Sequence, residues 1–307
     1  MPILGIMASG ISGHLADFSW TSRTLSVAGG WAAAASDGGS GFVATTDGNT
    51  TNATYSTDNG VTWTTSTLPS TGVWYGLAWN GSVYACVRFN STAAATSTTG
   101  ATWTSRTCQS GQWYEKCTQW NGSVFCSPQY QGNATQTSTD GTTWTLNSSV
   151  LPGSNENWSR LATKGSTFHA SYYALPTGGA ATSTNGSTWT TRTMPSSTFA
   201  AITGNSSIFV GITDSSSDVY TSSDGITWVL GSLPASARYF GLSYNGTNWV
   251  TARYNSGSTS SAATSPDGVT WTARSLSQSS WYAMASSSTV TAVFPNSGTA
   301  AYTSPSK

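Results

Sequence analysis

The segment STDNGVTW at residues 56–63 decides the fold of this chain, because five further segments repeat its pattern. They are STTGATW (97–103), STDGTTW (138–144), STNGSTW (183–189), SSDGITW (222–228) and SPDGVTW (265–271). We call these six segments the repeat turns. Each places Ser and Gly a few residues before a Trp, with Asp, Asn or Thr between them. Such residues favour a tight turn between two strands.

The tryptophans of the repeat are nearly equally spaced. They stand at positions 20, 63, 103, 144, 189, 228 and 271, so neighbours are 39 to 45 residues apart. Seven units of about 40 residues are typical of a β-propeller with four short strands per blade. The strict period disfavours a β-sandwich, a parallel β-helix has a shorter repeat, and the Gly-His and Trp-Asp signatures of WD repeats are missing. We therefore predict an all-β, seven-bladed propeller of four-stranded antiparallel blades.

The sixth unit shows the predicted plan of a blade. Strand one is ARYFGLSY (237–244), and Asn245-Gly246 then favours a type I′ hairpin turn. Strand two is TNWVTARY (247–254), strand three is SAATS (261–265), and the repeat turn leads to strand four, VTWTARS (269–275). We predict one propeller domain over residues 18–307, preceded by a leader at residues 1–17.

The two ends of the chain complement each other. The final residues AAYTSPSK (300–307) match the third strand of a unit and stop before any Trp, whereas FSWTSRT (18–24) is a fourth strand without a preceding turn. We predict that Phe18–Thr24 is the outer strand of the last blade, so that Ser304 and Trp20 are halves of one broken repeat turn. This closure removes an open blade edge.

Composition excludes several functions. Only 7% of the residues are charged and the net charge is zero, so there is no basic footprint for nucleic acid. The chain has no apolar stretch of membrane-spanning length, and its first residues lack the basic segment of a signal peptide. We expect no membrane insertion and no signal peptide. Phosphate-binding loops and metal-ligand spacings are also missing, so we expect no cofactor and no metal.

The repeat turns resemble the Asp-box, whose pattern is Ser-x-Asp-x-Gly-x-x-Trp. Ser56, Asp58, Gly60 and Trp63 match it fully. The shorter turns supply Asp140, Trp144, Asp224, Trp228, Asp267 and Trp271. In two of the turns, Thr99 and Asn185 stand in place of the Asp. Trp20 belongs to the broken turn. The resemblance implies a propeller with the motif between the third and fourth strands of each blade. Asp-box propellers include sialidases, other glycosidases, assembly factors and receptors, so it implies no single activity.

Residues for catalysis are scarce. Retaining glycosidases need two neighbouring carboxylates, but the chain has only Glu115 and Glu156 besides nine Asp, four of them in repeat turns. The Arg-Ile-Pro signature of sialidases is missing. His14 and His169 are the only histidines, and we interpret His169 as a strand residue. We predict no catalytic residues, with a sialidase-like glycoside hydrolase as the alternative.

Aromatic residues recur on one predicted face of the disc. Strand polarity puts the Asn-Gly hairpins and the repeat turns on one surface, the turn face. The segments that lead into strand one and those that join strands two and three share the opposite surface, the loop face. Trp and Tyr rings can stack on the C–H faces of sugars, and Arg can donate hydrogen bonds to sugar hydroxyls. We predict glycan-binding residues at Trp74, Tyr75, Arg88, Trp113, Tyr114, Tyr130, Trp158, Tyr173, Tyr239, Arg253, Tyr254, Trp281 and Tyr282. The alternative is that half of each aromatic pair packs between blades.

The segment PILGIMASGISG (2–13) resembles the N-terminal leader of virion structural proteins from tailed bacteriophages. The resemblance implies a tail, fibre or decoration protein located in the phage particle. Its leader would contact other virion proteins, and its propeller would face outward toward host surface glycans. Alternatives are a purely structural virion adaptor and a free cellular lectin or assembly factor.

The sequence predicts one pairing among its four cysteines. A two-residue hairpin loop at Asn121-Gly122 would place Cys117 opposite Cys126, either as a cross-strand disulfide or as two reduced core cysteines. Cys86 and Cys108 have no predicted partner.

Overall fold

The computed structural model describes residues 18–111, 113, 117–153, 156–172, 179–195, 199–254, 261–277 and 280–305. Within these ranges the chain forms seven four-stranded antiparallel sheets and no helix. The described ranges accordingly hold no helix that could cross a membrane. The leader at residues 1–17 lies outside them.

The strands are numbered along the chain, and each blade runs from its inner to its outer strand. Blade 1 has β2 (Trp31–Ser36), β3 (Phe42–Thr46), β4 (Thr50–Ser56) and β5 (Thr64–Gly72), and blade 2 has β6 (Gly76–Trp79), β7 (Tyr84–Val87), β8 (Ala93–Ser97) and β9 (Thr104–Thr107). Blade 3 has β10 (Gln119–Trp120), β11 (Phe125–Pro128), β12 (Thr135–Ser138) and β13 (Thr145–Asn147), and blade 4 has β14 (Trp158–Lys164), β15 (Thr167–Tyr172), β16 (Gly179–Ser183) and β17 (Thr190–Thr193). Blade 5 has β18 (Phe199–Gly204), β19 (Phe209–Thr213), β20 (Ser216–Ser222) and β21 (Val229–Ala237), and blade 6 has β22 (Tyr239–Tyr244), β23 (Trp249–Arg253), β24 (Ala262–Ser265) and β25 (Thr272–Arg274). Blade 7 has β26 (Trp281–Ser286), β27 (Val290–Pro295), β28 (Ala300–Pro305) and β1 (Thr21–Thr24).

The blades form a closed ring, as predicted. Each inner strand contacts the inner strands of both neighbouring blades, from β2 round to β26 and back to β2. Strand β1 completes blade 7 by pairing antiparallel with β28, with Thr21 opposite Thr303 and Thr24 opposite Ala300. The outer strand of the last blade thus comes from the beginning of the chain.

The repeat turns are closed by hydrogen bonds among their own residues. In blade 1, Ser56 Oγ donates to Asp58 Oδ1 at 2.7 Å and accepts from the Gly60 amide at 2.9 Å, while Asp58 Oδ1 accepts from the Thr62 amide at 2.9 Å. Burial pushes the pKa of Asp58 upward, but hydrogen bonds from Thr62, Ser56 and Val61 outweigh it and the pKa is about 2. The ionised carboxylate is therefore the form that suits the turn.

The turns that lack Asp keep the same geometry. Asn185 Oδ1 accepts from the amides of Ser187 and Thr188 at 2.9 and 2.8 Å. Thr99 Oγ1 accepts from the Ala101 amide at 3.3 Å. Each residue offers one oxygen acceptor at the same place, which explains why it can replace Asp.

Each repeat turn also packs on the preceding blade. Trp63 of blade 1 donates its indole N–H to Gly60 O at 2.9 Å and meets Phe294 of blade 7 edge to face, with ring centroids 5.0 Å apart. Gly100 of blade 2 has φ +83°, and a Cβ there would lie 2.4 Å from Val43 Cγ2 of blade 1. Glycine is required because the turn and the neighbouring strand touch. The core of the molecule therefore lies between the blades.

The hairpins that contain Asn-Gly differ from the prediction. The Asn121 amide donates to Val124 O at 3.3 Å, so Gly122 and Ser123 are the central residues of the turn. Asn121 Oδ1 accepts from the Ser123 and Val124 amides at 3.1 and 3.0 Å, and the side chain therefore caps the turn from outside. Trp120 consequently lies opposite Phe125, two residues away from the predicted register.

This register makes the disulfide prediction wrong. Gln119, and not Cys117, lies opposite Cys126. All four cysteines are buried free thiols. Burial raises the pKa of Cys86 and Cys126, and it raises the pKa of Cys108 to about 11. All four side chains are small apolar parts of the core, and Cys86, Cys108 and Cys126 carry little thiolate at neutral pH.

Candidate functional site on the loop face

A large aromatic side chain is buried where the chain enters the inner strand of each blade. These residues are Trp31, Trp74, Trp113, Trp158, Phe199, Tyr239 and Trp281. Five of them were predicted to bind glycans, and all five of those side chains are no more than 1% exposed. Their predicted role as ligand platforms is wrong, because their rings fill the space between blades and no sugar face can reach them. For these five residues the packing alternative holds.

In blades 6 and 7, a β-bulge directly after the buried ring turns the next residue outward. In β22, Tyr239 lies opposite Arg253 and Gly241 lies opposite Ala252, which leaves Phe240 in the bulge. In β26, the register shifts in the same way between Trp281 and Ala283. A bulge re-aims side chains, and here it separates each aromatic pair into a buried and a surface member.

Three surface rings of blades 6 and 7 form a cluster that we call the aromatic patch: Phe240, Tyr254 and Tyr282. The ring centroid of Phe240 lies 5.0 Å from that of Tyr254 and 5.3 Å from that of Tyr282, and the two tyrosine rings are 5.9 Å apart. All three side chains are half-buried. The bulge supplies Phe240 and Tyr282, and the residue after β23 supplies Tyr254. Two predicted residues are thereby brought together with Phe240, which the sequence analysis missed.

An ion pair borders the aromatic patch. Arg238 Nε and Nη2 donate to the two carboxylate oxygens of Asp214 at 2.8 and 2.9 Å, and the guanidinium carbon lies 5.0 Å from the centre of the Phe240 ring. Hydrogen bonding from Arg238 lowers the pKa of Asp214, and the same bond raises the pKa of Arg238. The Arg238 side chain is 47% exposed. The patch therefore offers apolar ring faces beside accessible charged donors and acceptors.

The remaining predicted residues lie apart from the patch. Tyr75 packs against Phe89 on blade 2, with ring centroids 5.7 Å apart. The Arg88 guanidinium donates to Thr71 O at 2.7 Å and to Ser91 Oγ at 2.7 Å, so it braces its own loop. Tyr114 and Tyr173 lie outside the described residues.

Two further predicted residues have defined positions. Tyr130 is half-buried and forms an isolated backbone bridge with Asn157. Arg253 Nε donates to the hydroxyl of buried Tyr239 at 3.0 Å, and its guanidinium lies 5.6 Å from that ring. Arg253 is thus packed beneath the patch. Among the described residues, the predicted sites thus include an aromatic patch on blades 6 and 7 and an aromatic pair on blade 2.

Comparison with known proteins identifies the family. Residues 115–304 match the model of the DUF6242 beta propeller domain, which is more than half of the chain. The chain belongs to this family. A search of curated proteins found no match.

Solved structures share the fold of this DUF6242 propeller. YCF48 bound to D1 peptide is 14% identical with a TM-score of 0.71, covering 94% of this chain and 95% of that chain. Selenomethionine-substituted virginiamycin B lyase from Staphylococcus aureus is 12% identical with a TM-score of 0.75, covering 94% and 99%. The WD40 beta propeller domain of Doa1 is 9% identical with a TM-score of 0.65, covering 94% and 98%. At such identities the likeness extends to the fold alone.

On the loop face of this DUF6242 propeller, charged groups lie beside the aromatic patch. The rings of the patch lie beside the Arg238 guanidinium and the Asp214 carboxylate paired with it. Among the described residues no three His, Cys, Asp or Glu side chains lie together in a way that could hold a metal ion. The patch can stack on apolar surfaces and exchange hydrogen bonds with hydroxyl groups.

Proposed function

We propose that this protein is a non-enzymatic binding protein of a bacteriophage particle, which recognises host surface glycans through the aromatic patch. The observation that carries the proposal is the cluster of Phe240, Tyr254 and Tyr282 on the loop face, with Arg238 at its side. The rings are held in place by a bulge that repeats in other blades, so the site is built by the fold.

A sugar fits the chemistry of the patch. Pyranose rings carry C–H faces that stack on aromatic rings and hydroxyl groups that need both donors and acceptors. The two tyrosine hydroxyls and the Arg238–Asp214 pair provide donors and acceptors around the rings. A half-exposed surface of this size favours weak binding, which several copies on one particle would strengthen through multivalency.

The virion part of the proposal rests on the resemblance of the leader at residues 2–13. Hydrogen bonding in the repeat turns supports the resemblance to the Asp-box, since Ser56, Asp58 and Gly60 bond to one another. YCF48, a propeller of similar fold, has been solved with a bound D1 peptide. That example supports a binding role for a propeller surface, and a peptide is the competing ligand class.

The glycan part is tested by measuring the binding of labelled protein to a printed glycan array. We expect wild type to bind a subset of glycans and the double variant Phe240→Ala, Tyr254→Ala to lose that binding. Tyr55→Ala, which removes a half-buried ring from β4, the third strand of blade 1, is the matched control and should bind normally. Binding unchanged in the double variant, or no glycan bound by wild type, would contradict the proposal.

The virion part is tested by mass spectrometry of purified particles from the source of the sequence. Peptides of this chain should sediment with the particles and persist after high-salt washing. Recovery of the chain only in the soluble fraction would overturn a role in the particle, while leaving the array result unaffected.

A further inference from the structure

A cavity of about 320 Å³ runs along the axis of the ring. It is lined by the inner strands of all seven blades, and most of its wall consists of small or apolar side chains such as Ala33, Leu77, Ile202 and Met284. Phe240 of the aromatic patch also lines it, so the patch stands at its rim. The volume is at the lower end of the roughly 300–1,000 Å³ found for small-molecule sites.

One charged side chain, Arg160, stands out among the described residues that line this cavity. It occupies the position after the bulge in β14, opposite Ser171. The matching positions in the other described inner strands hold only alanine or glycine: Ala33, Gly76, Ala201, Gly241 and Ala283. The residue of blade 3 at this position in the repeat, Glu115, lies outside the described residues. Among the described residues, the guanidinium group therefore lies at a level of the channel where the matching residues have the smallest side chains.

The Arg160 guanidinium is fixed by the backbone. Its Nε donates to Ala200 O at 2.7 Å, and its Nη1 donates to Ser159 O at 2.7 Å. Guanidinium has five N–H groups, so N–H groups of Nη1 and Nη2 remain for a ligand within the described part of the chain. A group that is already held in place loses little conformational entropy on binding.

Arg160 and Arg238 both act electrostatically on Asp214. Hydrogen bonding from Arg238 chiefly lowers the pKa of Asp214, and the charge of Arg160 lowers it further, so Arg160 lies within electrostatic reach. Asp214 is already engaged by Arg238 through both carboxylate oxygens. The group formed by these three described residues carries a net positive charge, which favours an anion close to Arg160.

We propose that the cavity binds the carboxylate of an acidic sugar residue, with Arg160 pairing the carboxylate and Phe240 covering an apolar face of the ring. This inference rests on the proposed glycan-binding function and names the class of glycan. Guanidinium matches the planar geometry of a carboxylate with parallel N–H bonds. The described residues at the level of Arg160 are small and neutral, which leaves room for a ring-sized group.

The test is an NMR titration with sodium glucuronate, glucose and sodium acetate as separate probes. Wild type should bind glucuronate at least ten-fold more tightly than either glucose or acetate. Arg160→Gln should lose this preference and bind glucuronate no better than glucose. Arg274→Gln, which removes an outer-strand arginine bonded to Thr264 Oγ1, is the matched control and should keep the preference.

A second measurement covers the case in which Arg160→Gln fails to fold. In wild type, raising NaCl from 20 to 500 mM should weaken glucuronate binding several-fold and leave glucose binding unchanged. Equal binding of glucuronate and glucose by wild type, or a retained preference in folded Arg160→Gln, would overturn the inference. Acetate binding as tight as glucuronate binding would also overturn it, because the site would then be a general anion site.

The two proposals fail in different ways. If the patch variant loses array binding but wild type shows no preference for glucuronate, only the acidic-sugar inference is wrong. If wild type binds no glycan on the array but binds glucuronate through Arg160, the proposed function of the patch is wrong and the carboxylate site stands.

Discussion

The two faces of the disc differ in how closely their residues repeat from blade to blade. On the turn face, the Gly amide of every complete repeat turn donates to the Ser Oγ of the same turn, at 2.7 to 2.9 Å. On the loop face, the position in the bulge is Ala32 in blade 1, Ser159 in blade 4 and Phe240 in blade 6. The turn face thus repeats one hydrogen bond in every complete turn, whereas the bulge residue of the loop face differs between blades.

The difference shows where the fold constrains the sequence. A repeat turn touches the preceding blade so closely that its glycine cannot gain a Cβ, as at Gly100 against Val43. The bulge residue varies in both size and exposure, since Ala32 in blade 1 and Ala200 in blade 5 are buried whereas Phe240 in blade 6 is half-buried at the surface. Residues that depart from the repeat, such as Phe240 and Arg160, are therefore the candidates for function. Substitutions on the turn face should cost stability, and substitutions on the loop face should cost binding.

Removing the closing strand should have the largest effect. Deleting residues 1–24 takes away β1, leaves β28 as an unpaired edge and removes Trp20 from its cluster with Trp281. We expect the thermal transition of the whole disc to fall further than for any substitution below. Deleting residues 1–17 alone keeps β1 and is the control. A 1–24 deletion that melts like the full chain would mean that closure does not stabilise the ring.

Trp63→Ala should have the next largest effect. The side chain is 6% exposed and packs between Phe42 and Phe294 of neighbouring blades. Truncating a buried Trp costs about 3–5 kcal/mol of unfolding free energy, which urea denaturation measures. Thr64→Ala, at the next and exposed position, should change it by less than about 0.5 kcal/mol. Equal costs for the two variants would contradict the role of the repeat-turn Trp between blades.

Acid should weaken the interface between blades 4 and 5 through His169. This side chain is fully buried, neither ring nitrogen has a hydrogen-bond partner among the described residues, and its ring packs against Phe209 and Trp228. Burial lowers its pKa from 6.5 to about 4. Between these values the unfolded chain binds a proton that the folded chain does not. The unfolding free energy should therefore fall as the pH drops from 6.5 to 4, by about 3 kcal/mol in all.

The variant His169→Val isolates this effect, since Val43 and Val210 occupy the matching position in blades 1 and 5. Urea denaturation at pH 7 and pH 4.5 should show a much smaller difference for the variant than for wild type. Asp58 and Asp140, whose pKa values are about 2, lose their contribution only as the pH falls below about 4. A variant as acid-sensitive as wild type would exclude His169 as the cause.

Arg238→Ala on the loop face should have the smallest effect on stability. Its ion pair with Asp214 is exposed to solvent, and such pairs contribute less than about 1 kcal/mol. The melting temperature should move little, whereas binding to the array should weaken. A large loss of stability would mean that the loop face, like the turn face, is needed for the fold.

Local chemistry made much of the fold predictable. The repeat turns are short-range structures, and their spacing alone indicated seven blades. The closing role of Phe18–Thr24 followed from matching the two ends of the chain. The hairpin at Asn121 was misjudged, because the Asn side-chain oxygen caps the turn and moves the Asn out of its centre. The Asn80 hairpin has the same cap and the same register, so the error lay in the choice between two turn types that the dipeptide Asn-Gly allows.

The candidate site was only partly predictable. Aromatic pairs at the inner strands were visible in the sequence, but which member faces outward depends on the bulge. In RYFG (238–241) the prediction took Tyr239, which is buried, and passed over Phe240. Arg160 gave no signal either, because only the assembled ring shows that its side chain lines the axial cavity.

Periodic local interactions were thus enough to determine the number of blades, the turn chemistry and the closing strand, since each depends on residues near one another or on a regular spacing. The arrangement of Phe240, Tyr254 and Tyr282, and the place of Arg160 in the axial cavity, were decided by the tertiary structure. The physical reason is that strands from different blades meet only when the ring closes, and a one-residue bulge then exchanges the buried and exposed side chains.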